Sequence, residues 1–270
     1  MQTSQAIPTQ HRDFAKQAVH FRAGKLRWHV HPLADLAALK PVLKRPDDFL
    51  KEPKWLLKDT ELVTLGHTAP YFPGEQRQWI LRRLNYGTLL HSVRDAVRPA
   101  SRALRAFRFG LALEQAGIPT PRVLAAVEQR AFGWPVKGFL LTEELSPATN
   151  VFDYLREHRR LPRVVLERLA EMIAHLHDQG LSHRDMKGTN ILLDEQLRPW
   201  LIDLDGMRRI LKTRVRRISF DLSRLASDAV PYPGVLRFGG MRFLKLYCRQ
   251  RHWAGRERML AVRIGNWMRC

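Results

Sequence analysis

Two segments of the sequence carry acidic, basic and amide side chains at spacings that suit phosphoryl transfer from ATP. They read HRDMKGTN at residues 183–190 and LIDLDG at residues 201–206. Asp185 could orient and deprotonate an acceptor hydroxyl, and Lys187 could neutralise charge on the moving phosphoryl group. Asn190 and Asp203 offer the amide and carboxylate oxygens that hold Mg²⁺ against the ATP phosphates. Together the segments predict a kinase site.

The His-Arg-Asp triplet alone is weak, because the chain also has it at residues 11–13, where nothing that follows completes such a site. The block 183–206 is more specific, since several residue types and two spacings agree. The alternative is a catalytically inactive relative that keeps the fold.

The composition is that of a folded and strongly basic protein. The chain has 270 residues, 45% of them hydrophobic, which suits one bilobal domain or two small ones and disfavours global disorder. Its formal net charge is +20. Such a charge attracts polyanions, whether nucleic acid, an anionic membrane or a phosphorylated substrate, and does not choose among them.

Cysteine content and targeting signals indicate the compartment. Cys248 and Cys270 form neither a metal-binding pattern nor a disulfide framework, which fits a reducing environment. The first thirteen residues lack the apolar stretch of a signal peptide, and no apolar run approaches the roughly 18 residues of a membrane-spanning helix. We expect a cytoplasmic protein that could dock on a membrane surface.

Periodicity and turn residues divide the chain into three predicted regions. These are an N-terminal extension at 1–54, a small lobe at 55–143 and a mostly helical lobe at 144–270. The small lobe is predicted as β-β-α-β-β, with its elements at residues 55–65, 78–85, 99–116, 123–128 and 138–142. Gly117 is predicted to end the helix.

The second lobe is predicted from apolar residues at helical spacing. Its helices are expected at residues 151–158, at 162–179 and from 220 onward. Two short apolar runs, 191–193 and 200–202, suit a strand pair that presents a loop.

Several stretches resemble the bacterial lipopolysaccharide core kinase family. They are ILRRLNY at 80–86, SRA at 101–103, AGIPTPR at 116–122, LLTEE at 140–144 and the block 183–206. The resemblance covers roughly residues 55–250 and implies an α+β, protein-kinase-like bilobal fold with a small antiparallel sheet lobe. It implies an ATP- and Mg²⁺-dependent kinase that phosphorylates a heptose or Kdo sugar of nascent lipid A-core, peripheral on the cytoplasmic face of the inner membrane of a Gram-negative bacterium.

The resemblance also implies residue roles in the second lobe. Asp185 would be the catalytic aspartate, with Lys187 approaching the γ-phosphate. Asn190 and Asp203 would bind Mg²⁺. Asp221 resembles the buried aspartate that ties the catalytic loop to a core helix, the alternative being an ordinary N-cap.

The nucleotide side departs from the usual kinase pattern. Arg82 stands where kinases carry a lysine for the α- and β-phosphates, and Ala106 stands where the partner glutamate is expected. Lys58 could supply the phosphate cation instead, or be a solvated surface lysine. Backbone groups from Glu143 to Leu145 would bind adenine. No glycine-rich loop is present, and the segment 65–74 would cover the nucleotide.

The distance from Asp203 to Asp221 bears on the substrate. Only about eighteen residues intervene and no A-P-E anchor is present, so there is no platform for an extended peptide. The acceptor is therefore predicted to be small or lipid-linked. The same segment is basic and would bind acidic groups of lipid A and its Kdo sugars, or be a solvated loop; its cations are Arg208, Arg209, Lys212, Arg214, Arg216 and Arg217.

The C-terminal part interleaves basic with aromatic residues from Arg237 to Arg269. This pattern fits either a helix lying on an anionic leaflet or a core-packed helix with a basic outer face. Nucleic acid is a less favoured partner because no reader motif is present. Besides the sugar kinase, a kinase-fold binding module and a kinase for a protein or small metabolite stay open. The particular sugar hydroxyl and the oligomeric state are not indicated by the sequence.

Overall fold

The structure is a computed structural model that describes ten stretches of the chain. They are residues 18–23, 25–51, 56–60, 63–68, 78–85, 100–131, 134–211, 215–231, 239–253 and 255–268. The predicted strand start at Trp55, residues 69–74 of the predicted nucleotide cover, and the basic residues Lys212 and Arg214 lie outside the described residues.

The first lobe is built on one antiparallel sheet of seven strands. They are β1 (Val19–Ala23), β2 (Leu26–Val30), β3 (Leu56–Asp59), β4 (Val63–His67), β5 (Trp79–Asn85), β6 (Val123–Ala131) and β7 (Trp134–Glu143). Their spatial order is β1-β2-β6-β7-β5-β4-β3. Successive side chains face opposite sides of a strand, so Trp28 and Val30 of β2 are buried while Arg27 is exposed.

A long helix, α2 (Arg102–Gln115), packs against β6 of this sheet. Its first turn is capped by Ser101, whose side chain accepts from the N–H of Leu104 at 3.1 Å. The helix buries Phe107. It is followed by Gly117 with a φ of 68°, a left-handed conformation that glycine adopts without strain. The predicted helix and its glycine stop are confirmed.

The N-terminal region differs from the predicted separate extension. Its strands β1 and β2 belong to the same sheet, with β2 paired to β6. A helix α1 (Leu36–Lys44) and a 3₁₀ helix (Pro46–Leu50) follow, and their buried side chains share one apolar cluster with Trp79 and Phe139 of the sheet. From residue 18 onward, therefore, the described part of this region is structurally integral to the first lobe.

The predicted strand 55–65 is also corrected. The structure has two antiparallel strands there, β3 and β4, and the N–H of Thr60 donates to Val63 O at 2.9 Å. The polar residues from Lys58 to Thr60 break the apolar run where the chain reverses. The strands predicted at 123–128 and 138–142 are confirmed, and both extend further than predicted.

The second lobe is mostly helical. Its helices are α3 (Val151–His158), α4 (Arg163–Asp178), α5 (Val215–Ser227), α6 (Gly240–Gln250) and α7 (Glu257–Met268). In α4, Leu169, Ile173 and Leu176 are buried at helical spacing, as the sequence pattern predicts. None of the helices in the described stretches has both the length and the apolar character needed to span a bilayer.

Two small antiparallel sheets complete this lobe. One has the order β11 (Pro199–Leu201), β10 (Ile191–Asp194), β8 (Ala148–Asn150), and the other pairs β9 (Leu181–Ser182) with β12 (Arg208–Arg209). The predicted pairing of the apolar runs near 191 and 201 is confirmed, with Ile191 opposite Leu201. The segment 183–190 connects β9 to β10.

Candidate active site

Asp221 anchors the backbone of the loop 183–190. This aspartate lies inside α5 and is fully buried, so it is not an N-cap. Its two carboxylate oxygens accept from the backbone N–H groups of His183 at 2.9 Å and Arg184 at 2.8 Å. Burial would raise the pKa of Asp221, but the hydrogen bonds, led by that of His177, hold the pKa below its usual value. The anchor therefore stays ionised.

A buried network supports this anchor. One ring nitrogen of His177 lies 3.2 Å from Asp221 Oδ2 and the other lies 2.8 Å from the hydroxyl of Tyr247 on α6. Arg251 donates to the same hydroxyl at 3.3 Å. Burial raises the pKa of Tyr247, which keeps its phenol neutral. The network ties the loop 183–190 to α6.

Asp185 lies in a cationic setting. Its Oδ1 accepts from Arg224 Nη2 at 2.7 Å and lies 3.0 Å from Lys187 Nζ. Burial would raise the pKa of Asp185, but the hydrogen bonds from Arg224 and Lys187 outweigh that effect and lower it. Asn190 Nδ2 donates to the carbonyl oxygen of Asp185 at 2.8 Å and reaches its Oδ2 at 3.3 Å. The sequence-predicted Asp185, Lys187 and Asn190 therefore meet in one group.

Backbone hydrogen bonds bring this group to Asp203. The N–H of Ile202 donates to Asn190 O at 3.0 Å, and the ring of His183 bonds to Ile202 O at 2.9 Å. The next residue, Asp203, has a φ of 63°, a left-handed conformation that is uncommon outside glycine. The amide of Asn190 and the carboxylate of Asp203 thus belong to two segments that are joined by the backbone bond between Asn190 and Ile202.

Two arginines of the first lobe bind the carboxylates of segment 201–206. Arg82 Nη1 donates to Asp203 Oδ1 at 2.6 Å, and Arg102 Nε donates to Asp205 Oδ2 at 2.9 Å. Burial favours the neutral form of Asp203, but the charge of Arg82 prevails and lowers its pKa. Burial and the neighbouring charge of Asp203 raise the pKa of Asp205. The Arg82 position therefore faces the predicted nucleotide site.

The donor set fits Mg²⁺. This ion prefers oxygen ligands and is usually held by one or two protein groups together with phosphates and waters. Asp203 offers a carboxylate, and Asn190 directs its Nδ2 toward Asp185, which leaves the amide oxygen on the other side. Within the described stretches there is no cluster of three or more His, Cys, Asp or Glu side chains that would suit a more tightly caged metal.

The remaining nucleotide-side predictions fall on the first lobe. Lys58 is exposed on β3. It pairs with Leu65 of β4, which in turn pairs with Arg82 of β5, so the three side chains lie on one face of the sheet. Two strand spacings separate Lys58 from Arg82, a distance of about 10 Å. At the hinge, the N–H groups of Glu143 and Glu144 donate to Arg122 O and Gln78 O at 2.9 and 2.8 Å.

The predicted basic rim is partly described. Arg208 and Arg209 form β12, are exposed, and pair with the strand that leads into the catalytic loop. Arg216 and Arg217 are exposed in the first turn of α5. Arg208 and Arg209 lie on the segment before residues 212–214, and Arg216 and Arg217 lie on the segment after them.

Sequence reasoning missed three charged residues of the site. Arg224 lies one helical turn after Asp221, so a helix that buries Asp221 under the loop also aims Arg224 toward it. Asp205 lies two residues after Asp203 and was passed over as part of the same motif. Arg102 opens α2, and its partner is about a hundred residues away, so local spacing gave no signal for it.

Comparison with known proteins identifies the family. Residues 69–247 match the lipopolysaccharide kinase (Kdo/WaaP) family, which is well over half of the chain. The chain belongs to this family. The resemblance inferred from the sequence is therefore confirmed.

Relatives within the family include two kinds of sugar kinase. A 3-deoxy-D-manno-octulosonic acid kinase of Vibrio parahaemolyticus is 31% identical over 109 residues, which is 40% of this chain and 45% of the relative. The lipopolysaccharide core heptose(I) kinase WaaP of Pseudomonas aeruginosa is 27% identical over 184 residues, which is 63% of this chain and 68% of the relative. The matches span about half the length of the octulosonic acid kinases compared.

A solved structure supports the fold. The structure of WaaP in complex with acyl carrier protein superposes with a TM-score of 0.59 at 20% identity, covering 88% of this chain and 97% of that one. The predicted α+β, protein-kinase-like bilobal fold is confirmed.

Proposed function

We propose that this family member transfers the γ-phosphoryl group of ATP to a hydroxyl of Kdo, the acidic sugar 3-deoxy-D-manno-octulosonic acid, in the inner core of lipopolysaccharide. The observation that carries the proposal is that Asn190 is hydrogen-bonded to Asp185, and that the bond from the Ile202 N–H to Asn190 O holds the segment bearing Asp203 beside this loop. Relatives named as kinases of this sugar match the chain at 31–33% identity. A heptose acceptor is the alternative within the family.

The acceptor side of the mechanism belongs to Asp185 and Lys187. Asp185 is ionised and half-exposed, so it can accept the proton of an acceptor hydroxyl as the oxygen attacks. Lys187, 3.0 Å from Asp185 Oδ1, can move its charge to the transferring phosphoryl group, because its chain is flexible and half-exposed. Both groups sit on an anchored loop, which holds them in position for in-line attack.

The nucleotide side belongs to residues of both lobes. Asn190 and Asp203 would hold Mg²⁺, which when bound spreads charge over the phosphate oxygens. Arg82 would fork onto the α- and β-phosphates in place of the usual lysine. The N–H groups of Glu143 and Glu144 are already engaged, so the N–H of Leu145 is the proposed hinge donor to adenine. Lys58, on the same sheet face, would lie at the outer edge of the triphosphate.

Charge supports a lipid-linked acidic acceptor at the membrane. The exposed cations Arg208, Arg209, Arg216 and Arg217 lie on the segments before and after residues 212–214, and Arg214 lies between them in sequence. Exposed basic residues recur on α6 and α7, including Arg242, Arg249 and Arg263. We propose that these exposed cations bind the anionic cytoplasmic leaflet of the inner membrane while the acceptor sugar enters the cleft.

The test is phosphate transfer by the purified full chain. With γ-labelled ATP and Mg²⁺, label is expected on lipid A that bears Kdo, and mass spectrometry of core oligosaccharide should show a phosphate that disappears when the gene is deleted. Transfer only to a heptose-bearing acceptor would show that the acceptor sugar is heptose and not Kdo. Nucleotide binding without transfer to any core acceptor would favour the binding module.

A second candidate function is association with acyl carrier protein. The solved WaaP is in complex with that protein. In this chain an apolar cavity of about 290 Å³ lies between the helices of the second lobe, lined in part by Phe152, Leu155, Leu222, Phe243 and Ile264. An acyl chain would fit such a lining. Pull-down of this chain by acylated but not by unacylated carrier protein is expected, and equal capture of both would contradict the acyl assignment.

A further inference from the structure

Helix α5 contacts the catalytic loop at three points along one face. Asp221 accepts from two loop N–H groups, Arg224 donates to Asp185, and Asp228, just past the helix end, accepts from the N–H of Gly188. Positions i, i+3 and i+7 lie on one helical stripe, so these side chains point the same way. Two of the three contacts fix the loop backbone, while Arg224 binds a reactive side chain.

The Arg224 contact exceeds what the loop needs for its structure. The loop backbone is already held at His183, Arg184 and Gly188 without it. The oxygen of Asp185 that Arg224 binds also lies 3.0 Å from Nζ of Lys187, the cation proposed to turn toward the phosphoryl group. A second cation on that oxygen would make Asp185 a weaker proton acceptor if it served no other purpose.

The geometry points instead to the acceptor. An acceptor hydroxyl that gives its proton to Asp185 must lie within about 3 Å of that carboxylate. Arg224 Nη2 is 2.7 Å from Asp185 Oδ1, and 37% of the Arg224 side chain is exposed. A guanidinium has five N–H donors in a planar fork, so one nitrogen can stay on Asp185 while the rest bind a second planar anion.

We propose that Arg224 is a specificity-determining residue that binds the carboxylate of the acceptor sugar next to Asp185. The inference rests on the proposed function, whose acceptor is a sugar acid, and it names the group of that sugar which the site recognises. One guanidinium then bridges the substrate carboxylate and the aspartate that takes the proton. A neutral sugar offers Arg224 no such partner, so the contact selects an acidic sugar.

The experiment compares two acceptors with the full chain. One is lipid A bearing Kdo, and the other is the same lipid with the Kdo carboxyl reduced to a primary alcohol. Wild type is expected to prefer the carboxylate acceptor by roughly 10–100-fold in kcat/KM, as expected for loss of a charge-assisted bidentate contact. In Arg224→Gln that ratio should fall to near one, and in Arg224→Lys it should be intermediate, because an ammonium binds as a point charge.

A matched control is Arg156→Gln. Arg156 is exposed on α3 and forms an ion pair with Asp153 at 3.3 Å, and its loss should leave the acceptor ratio unchanged. If Arg224→Gln lowers turnover equally on both acceptors, Arg224 acts only through Asp185 and the inference is wrong while the proposed function stands. The same holds if wild type does not discriminate between the acceptors. If wild type phosphorylates neither, the proposed function itself fails and the inference falls with it.

Discussion

Arg82 on β5 and Asp203 in the second lobe are joined by a 2.6 Å hydrogen bond between Nη1 and Oδ1. A parallel contact joins Arg102 of α2 to Asp205. In kinases the strand lysine is expected to pair with a helix glutamate within the first lobe, and Ala106 removes that partner here. In this chain the helix supplies a cation and segment 201–206 supplies the carboxylates. Both pairs tie the first lobe directly to the proposed metal-binding segment.

Replacement of Arg82 tests its proposed role at the nucleotide. We expect Arg82→Gln to lower kcat/KM for ATP by at least about tenfold, because a charge-assisted contact to phosphate is lost. Arg82→Lys should retain part of the activity, since it keeps the charge without the fork. The neighbouring Arg83 is the matched control: it points to the opposite sheet face and binds Asp47 and Thr64, so Arg83→Gln should leave ATP kinetics near wild type. Equal losses in both variants would contradict the assignment.

Replacement of Asp185 by Asn tests the proton acceptor. The amide keeps the shape and can still accept from Arg224, but it cannot take a proton, so kcat should fall by roughly 10²–10⁴-fold. Thermal unfolding should show a folded protein, because the loop backbone is held independently by Asp221.

Asp203→Asn is a separate test of the metal site. Loss of the Asp203 carboxylate should raise the Mg²⁺ concentration needed for half-maximal rate, whereas Asp185→Asn should not change that concentration. Wild-type turnover in either variant would refute its role.

The pH dependence of stability can be predicted at Glu128. This carboxylate, on β6, is almost fully buried beside the first turn of α2, and it accepts from the N–H of Ser101 at 3.0 Å and from Arg130 at 3.3 Å. Burial would raise its pKa, but the His29 ring 3.6 Å away, the hydrogen bond from Ser101 and the charge of Arg130 together lower it from 4.5 to about 2. Since the folded value lies below the unfolded one, ionised Glu128 stabilises the fold above pH 4.5. That contribution is lost as the pH falls toward 2.

The lowered pKa of Glu128 corresponds to a contribution on the order of 3 kcal/mol to the free energy of unfolding at neutral pH. We therefore expect Glu128→Gln to lower the melting temperature by several degrees at pH 7. The difference in melting temperature between wild type and Glu128→Gln should narrow steadily as the pH falls from 4.5. Glu157→Gln, on the exposed face of α3, controls for the general loss of a negative charge. A gap that stays constant from pH 7 to pH 3 would show that the charge of Glu128 does not stabilise the fold.

Local patterns predicted much of the fold and the centre of the site. The block 183–206 could be interpreted because its chemistry is contiguous, and the helix 151–158 and the apolar spacing of α4 report directly on burial. Strands β1 and β2 alternate apolar with basic residues, which is a strand pattern, but local spacing could not place these two short strands in the sheet. Their position beside β6 depends on contacts about a hundred residues apart.

The missed site residues have the same physical cause. Arg224 reaches Asp185 from 39 positions away and Arg102 reaches Asp205 from 103 positions away. Such pairs are created by the packing of helices, which no local spacing encodes. A basic side chain one turn beyond a buried helical aspartate is the one signal that could have indicated Arg224.

The packing of α2 on β6 leads to a last prediction, at Gly110. A Cβ added there would lie 2.4 Å from Val123 Cγ1 and 2.8 Å from Cγ2. Alanine is favoured over glycine inside a helix by roughly 0.5–1 kcal/mol, but overpacking a tight core costs about 1–3 kcal/mol. Gly110→Ala should therefore destabilise the protein despite the better helix former. Gly265→Ala in α7, where an added Cβ meets nothing within 4 Å, should be neutral or stabilising.

A double-mutant cycle measured by chemical denaturation tests whether the contact between position 110 and Val123 causes this destabilisation. Val123→Ala removes the two methyl groups that the Cβ introduced by Gly110→Ala would strike, so the two substitutions together should destabilise by less than the sum of the single effects. A coupling of about 1 kcal/mol or more in this direction is expected. Additive effects would mean that the close approach of α2 to β6 is not what requires glycine at position 110. Because α2 also carries Arg102 to Asp205, Gly110→Ala should weaken ATP affinity along with stability, whereas Gly265→Ala should leave ATP affinity unchanged.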